Sequence, residues 1–278
     1  MTIHGTRQLA CGLAFLLAIS FSGMARADTT NCTSITSLPK TITTPGQYCM
    51  ASGLSWAGTT GAAITIKADN VVLDCNDNLV NYTGTAAVSG VTGTTRSGVE
   101  VRHCRLNNFY RGIYFLTGSR RLFIHDNYVI GSRSSGIQTQ GGDIDIRGNQ
   151  VLDTVGDSGI SATVDAGSSA LVRDNWVNNV TGTAATLYGI LINGSGRATL
   201  ISNAVKGVGL PSTTTSHAIR INTGGTVTPS PVVILNGVMF IGQGVTSYAV
   251  SKATTTAKSV CDGYTLSGYG AGAVPGCL

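Results

Sequence analysis

Charge is scarce in this chain. Asp, Glu, Lys and Arg make up 11% of 278 residues, and glutamate occurs once, at Glu100. Methionine is also rare, with four residues. A chain so poor in strong helix formers is not a helical bundle. The formal net charge of +5 is small and spread along the sequence, so no basic face argues for nucleic acid as a partner. No C-x-x-C pair occurs, which removes the usual zinc framework. There is no activated nucleophile motif and no Gly-rich phosphate loop, and no metal or cofactor is expected. The only long apolar run is Leu9–Phe21, too short to span a bilayer.

That run has its own meaning. Met1–Ala10 carries one charge, Arg7, and Ala25-Arg26-Ala27 is a small-x-small cleavage site. Residues 1–27 read as a secretory signal peptide cleaved after Ala27, so the protein is expected to be secreted or periplasmic. Loss of Arg7 and Arg26 lowers the charge to about +3. Cleavage also removes Cys11 and leaves an even set: Cys32, Cys49, Cys75, Cys104, Cys261 and Cys277. Six cysteines in an exported chain read as a disulfide framework.

What is plentiful is Gly, with 37 residues, alongside Thr, Ser, Asn and Val. These favour strands and turns, and two signals repeat along the chain. The first is a small residue before Ile or Val: Ala63-Ile64, Gly90-Val91, Gly112-Ile113, Gly136-Ile137, Gly159-Ile160, Gly189-Ile190, Ala218-Ile219 and Ala249-Val250, in steps of 22 to 31 residues. The second is an aliphatic, two residues, then Asn or Cys. It starts at Val72, Val101, Ile124, Ile146, Val172, Leu200 and Val233, and six copies close on Leu106, Val129, Val151, Val177, Val205 and Val238. Short alternating strands at this period predict one coil of a solenoid per repeat. A propeller blade needs more residues per repeat, about 40.

Stacked coils lie about 4.8 Å apart, which explains the Asn and Cys positions together. The asparagines should form a hydrogen-bonded ladder, each tolerating a left-handed bend. Cys75 and Cys104 take the same rung in adjacent coils, within disulfide reach. Cys32 and Cys49 bracket Leu38-Pro39 and Pro45-Gly46 and are expected to staple an N-terminal cap over residues 28–62. Cys261 and Cys277 should staple a C-terminal cap over 252–278, leaving 63–251 as the coiled body.

These repeats resemble the pectate-lyase-like right-handed parallel β-helix family over about Ala63–Ser251. The resemblance implies an all-β, right-handed, single-stranded parallel β-helix of about seven or eight coils. It also implies that the Gly-Ile segment is the first sheet, often the substrate face. It is poor for function, because the fold hosts lyases, hydrolases, epimerases, adhesins and tailspikes. The galacturonase-like Asn-Thr-Asp and Gly-His-Gly motifs are absent, as are the pectate lyase signatures; Arg220-Ile221-Asn222 lacks the lysine of Arg-Ile-Lys.

Four outward groups could carry chemistry. Asp143 and Asp145 alternate with Ile144 and Ile146, and Asp145 is expected beside Arg102, His125, Arg147 and Arg173 as an ion network rather than a hydrolytic pair. That basic column places one cationic group on each of four coils, a spacing that suits an anionic glycan. Tyr128 and Trp176, with Arg105 and Gln150 in their column, could stack on sugars two coils apart. Tyr188, His217 and Tyr248 precede the first-sheet small residue on three coils, with Arg220 three residues beyond His217. Uronate β-elimination or epimerisation needs a base, an acid and a cation for the carboxylate, and these side chains supply all three. The reading is an exported protein engaging extracellular or cell-wall polysaccharide, a uronate lyase or epimerase if catalytic. The alternative is a non-catalytic adhesin-like or envelope module.

Overall fold

The computed structural model describes residues 31–209, 215–223, 232–234, 237–239, 246–252, 260–262 and 265–267. The segment 1–27 and the Cys261–Cys277 pairing lie outside them. The chain is a solenoid of parallel strands arranged on three faces, with no helix among the described residues. Its first face runs through Ala62–Ile66, Ser89–Thr94, Ser158–Val164, Thr186–Gly194, Thr215–Thr223 and Thr246–Lys252. Arg111–His125 and Ser135–Arg147 continue through the bend from the first face onto the second, which joins those faces into one sheet of 17 strands. Nine strands, from Leu54–Trp56 to Thr265–Ser267, make the third.

The small-aliphatic repeat sets the register of the first face without a slip. Ile64, Val91, Ile113, Ile137, Ile160, Ile190, Ile219 and Val250 pair rung on rung. Val101, Ile124, Ile146, Val172, Leu200 and Val233 do the same on the second face. Leu106, Val129, Val151, Val177, Val205 and Val238 follow on the third. The first copy of the second signal is displaced by one: Leu73, not Val72, pairs with Val101. Leu73 is buried and Val72 is only half-buried. The first bend therefore has one residue fewer than the next, yet Cys75 and Cys104 still form a disulfide with Cα atoms 4.6 Å apart. Cys32–Cys49 is also formed.

The small residue has a steric cause. A Cβ at Gly136 would strike Val151 Cγ1 and lie 2.7 Å from the Gly159 carbonyl oxygen, so backbone must pass where a side chain would sit. Inside the tube, these aliphatics make one continuous core. At its N-terminal end Tyr82 stacks on Phe109, 5.4 Å between ring centroids, and Trp56 packs tilted against Tyr82 at 5.6 Å. Residues 33–56 add strands in register below this stack.

Buried Asn127, Asn149, Asn175 and Asn203 form the ladder between the second and third faces. Each Nδ2 donates to the next Oδ1, at 2.9, 3.0 and 2.9 Å. The left-handed residue at each bend is not the asparagine. It is the residue before it: Asp126, Gly148, Asp174 or Ser202, with φ from 52° to 61°. The asparagine keeps ordinary backbone geometry, and its amide is thereby turned inward along the stack.

Candidate functional site

Strand register places Ser158, Tyr188, His217 and Tyr248 in one column at the start of the first-face strands. The Tyr188 and His217 rings are stacked, 5.4 Å between centroids and 10° from parallel. His217 is 3% exposed. Its Nδ1 lies 2.7 Å from the Ser251 hydroxyl, and Arg220 Nη1 donates to that same oxygen at 3.4 Å. Ser251 is the rung above Arg220. Burial, and then the positive charge of Arg220, push the His217 imidazolium down to about 4, so the ring is neutral at pH 7. Ser251 can donate to Nδ1 or accept from Nδ1–H, and the second arrangement is the tautomer whose acceptor nitrogen is Nε2. The Tyr248 side chain lies outside the described residues; its backbone pairs with His217.

Arg102, His125, Arg147 and Arg173 form the expected column on the second face. Acids accompany it closely. Arg102 donates to Asp74 at 2.9 Å and to Glu100 at 2.7 Å. His125 sits between Glu100 at 3.1 Å and Asp126 at 2.8 Å. Arg147 and Arg173 pair less tightly with Asp145 and Asp174, at 3.6 and 3.4 Å. Burial lowers the Arg102 affinity for its proton, but hydrogen bonds and charge from Asp74 and Glu100 outweigh that and raise it overall. This column is an ion network before it is a ligand stripe.

Asp145 is not the lateral neighbour of that column. Its flanking rungs are Phe123 and Leu171: two residues short of Arg147 on the same strand, it stands in the next column of the same outward face and reaches Arg147 along the strand, not across it. On the third face Arg105, Tyr128, Gln150 and Trp176 are consecutive rungs. The Arg105 guanidinium lies 5.5 Å from the Tyr128 ring centre, and Trp176 is 46% exposed.

The structure thus brings together Tyr188, His217 and Arg220. It puts the basic and aromatic columns on the other two faces, so one ligand unit cannot touch all three sets. Ser251 went unread in the sequence, although its rung position above Arg220 was there to find. Among the described residues no three His, Cys, Asp or Glu side chains gather as a metal site.

A family model described as "Right handed beta helix region" matches residues 43–205. No curated protein matches the chain. Two solved structures are similar to it. One is an alginate lyase from Paenibacillus sp. str. FPU-7, 10% identical over 82% of this chain and 95% of that one, with a TM-score of 0.43. The other is the Dettilon tailspike protein gp208, 11% identical over 82% of this chain and 60% of that one, with a TM-score of 0.38. At these values neither likeness bears on function.

Proposed function

This chain belongs to the right-handed β-helix family, and from that premise we propose that it is an exported protein acting on a uronate polysaccharide, as a lyase or epimerase. The observation that carries the reading is a neutral imidazole, His217, held by Ser251 within one rung of a guanidinium, Arg220. Proton abstraction beside a carboxylate needs that pair: a base uncharged at working pH and a cation that stabilises the carbanion-like charge. Arg220 holds the uronate carboxylate. His217 Nε2 removes the C5 proton, and the C5–H electron pair moves into the carboxylate as an enolate that Arg220 stabilises. In elimination that pair returns to form the C4–C5 double bond as the C4–O bond breaks, with Tyr188 or Tyr248 giving a proton to the leaving oxygen. For epimerisation C4–O stays intact and the tyrosine gives its proton to the opposite face of C5 instead. Two disulfides suit an oxidising compartment outside the cytosol.

The burial of His217 favours a second reading, a non-catalytic module in which Tyr188, His217 and Ser251 are a packed surface feature. One experiment separates the two. The protein is incubated with alginate, polygalacturonate and hyaluronan, and unsaturated products are followed by absorbance. Epimerisation is read by proton exchange at C5. His217→Gln should keep the fold and lower turnover at least about a hundredfold. Full activity in that variant removes the site, and binding without product or exchange on any glycan establishes the module.

A further inference from the structure

The second face carries a groove of about 470 Å³ that shares no residue with the His217 cluster. Phe123, Asp145 and Leu171 are its floor, successive rungs of one outward column. Arg121, Asp143 and Arg197 stand along its rim.

Three observations mark this groove as more than solvated surface. Phe123 is 42% exposed, a large ring left wet between Glu100 and Asp145. Arg121 has φ 51°, in the left-handed region where the coil below uses Gly98 (φ 67°) and the coil above Asp143 (φ 54°). Aspartate and glycine enter that region readily, whereas arginine has no local bond to favour it. Strain of this kind is retained where a side chain is wanted in place. Finally, Asp145 Oδ1 is shielded from solvent without a hydrogen-bond partner. An orphan acceptor is costly, and the soft carboxylate torsion lets it turn toward an incoming donor.

We propose that this groove binds a short stretch of polysaccharide through hydroxyl groups and the flat face of a sugar ring. The acceptor in the floor asks the ligand for a donor. Both charge signs line the groove, so a simple anion meets Asp143 and Asp145 while a simple cation meets Arg121 and Arg197. A neutral polyhydroxyl face satisfies both, with Phe123 as the stacking platform. Arg121 and Arg197 are three rungs apart, roughly 14 Å at the backbone, which fits an oligosaccharide lying along the solenoid axis. The site would anchor a chain independently of any reaction on the first face.

Affinity electrophoresis in native gels cast with glucomannan, hydroxyethylcellulose, alginate or polygalacturonate tests this directly. The wild type should be retarded by at least one polymer, relative to a gel without polysaccharide. Phe123→Ala and Asp145→Asn should each weaken that retardation at least fivefold, and Phe123→Trp should preserve it, which separates lost contact from lost fold. His217→Gln should be retarded like the wild type, so failure of the first-face chemistry would leave this result standing. Retardation of Phe123→Ala equal to wild type overturns the site, as does a wild type that no polymer slows.

Discussion

Asn149 uses its whole amide. The two Nδ2 hydrogens are shared among three acceptors, the Ile124 and Arg147 carbonyls at 2.8 and 2.9 Å and Asn175 Oδ1 at 3.0 Å, while Oδ1 accepts from the Asn127 backbone and side chain. Truncation would leave several buried groups unpaired at once. Asn149→Ala should cost about 1–3 kcal/mol in urea denaturation, and Gln150→Ala, on the exposed outer side of the next residue, almost nothing. Equal losses would contradict the inward turn of the ladder. His217 makes a pH argument at the same scale. Its folded value of about 4 lies below the unfolded 6.5, so the unfolded chain binds more protons between those values and stability rises with pH there. The contribution is complete above about pH 6.5 and is lost as pH falls through 4. Melting curves should show the wild type losing more than His217→Gln between pH 6.5 and 4. Parallel curves would mean that the ring is not held neutral by the fold.

At the scale of one strand, the glycine before each aliphatic is a packing requirement. Gly136→Ala would push a methyl group into Val151 and the Gly159 carbonyl, an overpacking that costs about 1–3 kcal/mol. Adding Val151→Ala should recover only part of this, because the carbonyl contact remains. Full recovery in the double variant would place the whole clash on the valine. Alternation and period made this level legible in advance: a slip of one residue would expose every aliphatic, so the inward positions could be aligned by reading alone. The same logic failed where it had least redundancy. At Leu73 a shorter bend moved the register by one, and nothing in a single copy reveals a bend's length. The left-handed residue was misplaced onto the asparagine because Asn, Asp and Ser all tolerate that region; only the backbone separates them. Side-chain partners were less legible still. Rung identity puts Tyr188 beside His217, but the Ser251 bond and the exposure of Phe123 depend on rotamers and neighbouring bends.

Across the molecule, contacts run from coil to coil along one continuous core, so stability behaves as a sum of neighbouring interfaces. The two described staples both lie at the N-terminal end. Cys32–Cys49 ties the first described strand to the coil above it, and Cys75–Cys104 joins the next bends. Further along, Asn127 to Asn203 perform the same task without covalent help. An end coil is paired on one side only, which makes it the natural place for opening and the natural place for a covalent tie. Reduction of the disulfides should therefore act locally. Hydrogen exchange on the reduced protein should quicken across residues 33–82, while the amides of Ile146, Val172 and Leu200 keep the protection they have in the oxidised form. A uniform rise in exchange over all coils would mean that the solenoid opens as one unit and that the staples act on the whole chain.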